Sequence, residues 1–361
     1  MTHLDRLDAY LAANDLEAVW FARPPSFAWL TGGGNNVVDS RSDVGVAAAG
    51  YDGEEVTVVT DNIEAGRLRD EELRGDERVV TVDWYADSLA DAVARETPTP
   101  AGADFPVPGL STVAATDLRQ PLTDGDVETY RELGRDAAEA LETALERTQP
   151  RMTEWEVAAE MQRELTARGI EAPVALVGGS ERAPKYRHYT TTDAAVGDYA
   201  LASVTATRDG LFASCTRTVA FDAPEWLAER TEKAARVEAT ALAATRAVGL
   251  EGGTAGDVFE AVQDAYAGVG YDGEWELHHQ GGAAGYSGRE WIATPTSDAT
   301  VYLPMAYAWN PTVQGAKSED TWLVGEGEGD FECLTAGDWP TVEAEAVDRD
   351  LTLSRPTVRH L

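Results

Sequence analysis

Lysine is almost missing from this 361-residue chain. Only Lys185, Lys233 and Lys317 occur, and every other basic side chain is arginine. Positive charge as a whole is scarce: 29 Lys and Arg stand against 64 Asp and Glu, a formal net charge of −35. Such a chain has little with which to neutralise phosphates, which argues against a nucleic-acid partner. Cysteine is scarce too. Two thiols, Cys215 and Cys333, are too few for a disulfide framework. Cys215 falls in a segment that reads as a buried strand, where a thiol acts as an inert apolar filler. No run of about 18 apolar residues is found, so no membrane-spanning helix is expected. Residues 1–15 are acidic and amphipathic rather than signal-like, and a cytoplasmic protein is expected.

High net charge with few hydrophobic residues would indicate disorder. Here 43% of residues are hydrophobic and ten are Trp, which indicates a folded chain. The acidic residues are spread along the whole sequence. That distribution suits a protein kept soluble in concentrated salt, where repulsion among carboxylates is screened, and a halophilic, archaeal-type character is expected. The charge then reports the solvent and not the substrate.

The length suits two domains. Residues 4–14 read as a helix and Leu16–Phe21 as a strand. The Arg23-Pro24-Pro25-Ser26 segment reads as a break, and Val44–Ala49 and Val56–Thr60 as strands around the turn Tyr51-Asp52-Gly53. Helical patterns at 63–73 and 88–95 flank a strand at 78–82, which describes a small α/β domain over residues 1–122. Thr97–Gly109 is a Pro/Gly-rich loop near its end. A long helix begins at Asp124, and Thr153-x-x-Glu156 has the form of a capping box for the next one. Strands at 172–177, 199–206 and 211–221 and helices at 224–248 and 254–269 follow, then strand and loop. This second domain is expected over residues 123–345, with 346–361 as a tail. The glycines Gly32-Gly33-Gly34 lack a following Lys-Ser/Thr and read as a flexible turn, not a phosphate loop.

The stretch Gly210–Thr218 carries the most specific signal. It ends in Thr216-Arg217-Thr218, and Ser203 and Ser214 stand eleven positions apart. In this pattern the chain resembles the pita-bread proteins, the Xaa-Pro peptidase and creatinase group, whose paired strands read Asp, ten residues, then Asp-x-Thr-Arg-Thr. The order of a small creatinase-like α/β domain, a linking helix and a mixed α/β domain is similar as well. The resemblance implies an α/β (α+β) chain ending in a pita-bread domain. It also implies a homodimer and a site where two Asp, one His and two Glu hold two metal ions that activate water. Ser203 and Ser214 stand at the Asp positions. Gly281-Gly282-Ala283-Ala284-Gly285 resembles Gly-His-x-x-Gly, placing Gly282 at the His. Asn310-Pro311-Thr312 resembles Glu-Pro-Gly. Gly315-Ala316-Lys317-Ser318-Glu319-Asp320-Thr321 resembles Gly-x-Arg-x-Glu-Asp-Thr and keeps Glu319. One carboxylate among neutral groups cannot close around a divalent ion, so no metal cofactor is expected.

What remains suggests other chemistry. Arg187-His188-Tyr189 resembles a family His at the mouth of the site, and His188 is a candidate general base. In Trp275–Gly282 the neighbours His278 and His279, read as strand residues, would point to opposite faces. Only one would then line the site, with His279 expected, and the two would not chelate one ion. Glu290 and Glu319 are candidate acid/base groups. Arg289 is a candidate carboxylate binder. Asn310, Ser203, Ser214 and Tyr286 are candidate substrate contacts. Arg217 reads as a buried structural residue facing Glu319, whose ionised form it would favour. Three functions compete. One is a metal-independent hydrolase of a C–N bond in a small molecule or short peptide, using His188. Another is a non-catalytic peptide or ligand binder. The third is an ordinary metallopeptidase with ligands relocated to His279, Glu290, Glu319 and Asp320.

Overall fold

The computed structural model describes residues 1–361, which divide by contacts into two compact units. One comprises Met1–Thr123 with Asp209–Leu211, the other Asp124–Arg208 with Phe212–Leu361. No helix is long and apolar enough to cross a membrane.

The first unit runs α1 (His3–Asn14), β1 (Ala18–Phe21), α2 (Pro24–Thr31), β2 (Ala47–Tyr51), β3 (Val56–Asp61), α3 (Ala65–Arg67), β4 (Arg78–Val82), α4 (Leu89–Glu96), β5 (Ala101–Ala103) and β6 (Ser111–Thr112). Its six-stranded mixed sheet has the order β4-β3-β2-β1-β5-β6. The β2–β3 hairpin closes on the turn read from sequence. Asp52 Oδ1 accepts from the amides of Glu54 and Glu55, both at 3.0 Å, and Gly53 takes φ +89°, a value that favours glycine. Pro24 and Pro25 correct one expectation. They do not break the chain but open α2, where the first turn needs no amide donor. Val93 of α4 packs with Trp20, Val59 and Phe105 in the core of this unit.

The second unit begins with α5 (Asp124–Glu146) and α6 (Glu154–Thr166). Next come β7 (Glu171–Gly179), β8 (Tyr199–Arg208), β9 (Leu211–Ala220), α7 (Trp226–Leu250) and α8 (Ala255–Gly268). On α5 the residues Val127, Tyr130, Gly134, Ala137, Leu141 and Leu145 recur at three- and four-residue spacing and are buried, which makes it an amphipathic helix. A Cβ on Gly134 would lie 2.2 Å from the Leu334 carbonyl oxygen, so this contact requires glycine. The capping box of α6 is present: the Thr153 hydroxyl accepts from the Glu156 amide at 3.2 Å, and Glu156 accepts from the Thr153 amide at 2.7 Å.

The remaining strands are β10 (Gly281–Ala284), β11 (Met305–Trp309), β12 (Thr312–Val313), β13 (Ala316–Lys317), β14 (Asp320–Val324), β15 (Phe331–Cys333), β16 (Thr341–Glu345), β17 (Thr352–Pro356) and β18 (Val358–His360). They build the sheets β18-β9-β8-β7 and β10-β11-β14-β15, with the pairs β12-β13 and β16-β17 beside them. The expected tail is therefore corrected. Thr352–Pro356 pairs antiparallel with β16, and Val358–His360 adds a parallel edge to β9. Its side chains alternate in burial, so it has an inner face, and Arg355 on that face is fully buried.

Candidate active site

Two segments deliver the candidate groups, and each is tied down by a buried side chain. Glu154, the first residue of α6, is fully buried. Its carboxylate accepts from the amides of Gly179 and Thr192 at 2.9 Å and pairs with Arg182, which donates to the Thr190 carbonyl at 2.9 Å. These contacts staple both ends of the loop that carries Arg187, His188 and Tyr189. The Tyr189 hydroxyl bonds Ser203 Oγ at 3.0 Å and anchors the middle. The other segment is a short 3-10 turn, Glu274–Leu277, followed by His278 and His279. Gln280 donates from Nε2 to the carbonyls of Trp275 and His278 and accepts from the Tyr266 hydroxyl at 2.8 Å. An Arg187–Glu274 ion pair, with both side chains largely buried, latches the two segments together.

The latch produces a cluster of three imidazoles. His188 Nε2 lies 3.1 Å from His278 Nε2. The His278 and His279 rings stack with centroids 4.3 Å apart at 26°, and the His188 ring sits 4.8 and 5.5 Å from them. One nitrogen from each ring falls within 4.8 Å of the others. This corrects the expectation that only His279 lines the site. Strand alternation does not apply, because β10 starts only at Gly281 and the two histidines lie in irregular chain before it. His188 is exposed, His279 half-buried and His278 buried. Burial, then the Lys317 ammonium, hold His188 below its ordinary 6.5, with Glu319 opposing. Burial, Arg289 and Lys317 bring His279 down to about 4, and His278 is depressed further, chiefly by burial. Each of these shifts favours the neutral imidazole.

Glu319 forms the second cluster. Lys317 Nζ lies 2.8 Å from Oε2 and Arg289 Nη2 lies 3.0 Å from Oε1. The Thr216 hydroxyl donates to Oε2 at 2.8 Å. Burial alone would raise the carboxyl, but these two cations prevail and hold it at about 2. Ser203 Oγ stands 2.7 Å from Thr216 Oγ1, and Ser214 Oγ stands 3.0 Å from Thr205 Oγ1 and accepts from Arg289 at 3.1 Å. Arg217 does not face Glu319. It donates to Glu142 at 2.8 Å and to Asp320 at 2.9 Å, because alternation along β9 sends Thr216 and Arg217 to opposite faces.

The remaining candidates make other contacts. Tyr286 donates to Asp126 of α5 at 2.6 Å. Glu290 is buried, with its amide bonded to the Ala283 carbonyl, and its charge acts on the buried Tyr130 phenol. Asn310 is buried, and its Oδ1 has no hydrogen-bond partner. At Gly282 a Cβ would lie 2.2 Å from the Trp291 carbonyl oxygen and 2.7 Å from the Trp291 ring, so no side chain fits there. Sequence reasoning passed over Lys317 as a site residue. The signal was its place two residues before Glu319, which puts both on one face of an extended strand.

Residues 128–326 match metallopeptidase family M24. Among solved structures the chain is similar to a prolidase from Pyrococcus furiosus, at 20% identity over 91% of this chain and 99% of the other, TM-score 0.72. It is also similar to dipeptidase PepE from Mycobacterium ulcerans, at 21% identity over 99% and 97%, TM-score 0.72. The N-terminal domain of the FACT complex subunit SPT16 from Cicer arietinum has a similar fold at 13% identity over 93% and 96%, TM-score 0.65. These likenesses establish the mixed α/β pita-bread fold. No curated protein matches the sequence.

Proposed function

The chain belongs to metallopeptidase family M24, and from that premise we propose a metal-independent member that hydrolyses a C–N bond in a short peptide or small amide with His188 as general base. The observation that carries this reading is the state of Glu319. It is the one carboxylate kept at the positions the family resemblance assigns to metal ligands, and two side-chain cations already neutralise it. A pair of divalent ions needs several anionic oxygens, and these residues do not fit it. Two positions are hydroxyls, one is a buried neutral amide, and Gly282 admits no side chain.

The base would work as follows. Neutral His188 takes a proton from water, the water oxygen bonds to the carbonyl carbon, and the C–N bond breaks. The leaving nitrogen carries away the proton from the imidazolium. His278, in contact with His188 Nε2, orients the ring. Arg187 has a buried Nε–H with no partner, a donor of the kind a developing oxyanion requires. The substrate class follows the relatives named as prolidase and dipeptidase.

One observation favours a second reading, a ligand-binding protein without turnover. Ser203, Ser214, Asn310 and Glu319 are each less than 5% exposed, and one protein of similar fold is named as a subunit of a complex rather than as an enzyme. Assay of chelator-treated protein with Xaa-Pro dipeptides and N-acyl amino acids separates the two. The proposal expects metal-free turnover that falls about 10²-fold or more in His188→Ala. Turnover unchanged by that substitution contradicts the base, and binding without turnover in any substrate supports the second reading.

A further inference from the structure

The histidine cluster has a geometry that general base chemistry does not require. The chain has five histidines, and three of them, separated by up to 91 positions in sequence, present nitrogens within 4.8 Å of one another. Two nitrogens bound to one tetrahedral zinc at about 2.0–2.1 Å stand roughly 3.3 Å apart. His188 Nε2 and His278 Nε2 are already at 3.1 Å. The protein satisfies these rings poorly. Two facing Nε2 atoms can share only one proton, and Nδ1 of both His278 and His279 is buried without a hydrogen-bond partner. We propose that His188, His278 and His279 form a site for one borderline transition-metal dication, zinc or copper(II), separate from the two-metal position of the family.

Imidazole nitrogens select these ions over magnesium, calcium or manganese, which prefer oxygen. His188 is the exposed member and supplies the way in, leaving a fourth position for water. The charged neighbours are Lys317, Arg289 and Arg187. The first two are paired with Glu319 and the third with Glu274, so their repulsion of a dication is partly offset. His279 must turn out of its stack on His278 to complete the ligand set, a side-chain motion in irregular chain. The site stands independently of the proposed hydrolysis, although an ion bound there would occupy His188 and inhibit any reaction that uses it as a base.

Calorimetric titration of the full chain with Zn2+ at pH 7.5 tests the site. One ion per chain is expected, with affinity at least tenfold weaker in His188→Ala, an exposed loop substitution that should leave folding intact. His278→Gln should weaken it similarly, and His3→Gln combined with His360→Gln should not. Co2+ in place of zinc should give the intense visible bands of a tetrahedral site, lost in His188→Ala. Zinc uptake equal in the wild type and His188→Ala, or uptake that disappears with His3 and His360, overturns the site. Failure to bind any zinc overturns this site alone. Two ions that survive His188→Ala but vanish in Glu319→Gln would overturn both this site and the metal-independent reading.

Discussion

Strand β9 and the Lys317–Asp320 segment that leads into β14 each present two faces, and the two faces have different chemistry. The inner one carries Arg217 and Asp320. Arg217 pairs with Glu142 and Asp320, and Arg355 pairs with Asp320 at 2.7 Å and with Glu238 at 2.7 Å. The Thr335 hydroxyl and the Ser318 hydroxyl fill further acceptors. The other face, one residue away at every step, carries Ser214, Thr216, Lys317 and Glu319. The first face is a closed ionic brace that holds the strands in register. On the second, one carboxylate remains between two cations. Alternation lets the two faces vary independently, so a chain can keep the frame of a family while changing the chemistry of its site.

The largest effect is expected on the brace. Arg217→Met would take the ion-pair partner from buried Glu142 and leave buried Asp320 with Arg355. A loss of about 3–5 kcal/mol is expected in a denaturant titration at fixed salt. A loss below about 1 kcal/mol would mean that the brace is not what holds the strands.

The site face should respond less. Glu319→Gln leaves Lys317 buried beside a neutral amide, and a loss of about 2 kcal/mol is expected. Adding Lys317→Met should recover more than half of it, the sign of direct coupling. The pH dependence sharpens this result. The folded carboxyl sits near 2 against an ordinary 4.5, so its contribution is complete above pH 4.5 and fades as pH falls toward 2. Glu319→Gln should remove that portion of the acid loss. His279, held near 4 against 6.5, adds an earlier decline between those values that Glu319→Gln leaves in place. An unchanged acid profile below pH 4.5 in Glu319→Gln would contradict the ion triad.

The smallest effect is expected where carboxylates are restored. Ser203→Asp with Ser214→Asp should fail to take up manganese, because Gly282 has no space for the missing His and Lys317 and Arg289 still hold Glu319. Micromolar manganese binding by this double variant would show that the two serines alone removed the metal.

Much of this was legible in the sequence. The capping box at Thr153, the hairpin turn at Gly53 and the Thr-Arg-Thr strand depend on neighbours in the chain, and each was read from local residues. Ser214 lies on that same strand, and Ser203 on the strand before it. What stayed hidden depends on distant partners. The sequence suggests Glu319 as the partner of Arg217, but its partners are Glu142 and Asp320, and only the fold shows which face meets which helix. The convergence of His188 with His278 and His279 depends on the Arg187–Glu274 latch across 87 positions, and no local pattern encodes it. The strand Thr352–Pro356 reads as tail in the sequence because its alternation is short and its pairing partner β16 lies across a turn.

On the proposed reading, protein cations occupy the place of the metals around Glu319. Manganese titration followed by electron paramagnetic resonance, on wild type and Glu319→Gln, addresses it directly. The account predicts no dinuclear signal and no difference between the two proteins. A coupled two-manganese spectrum in the wild type that disappears in Glu319→Gln would contradict it.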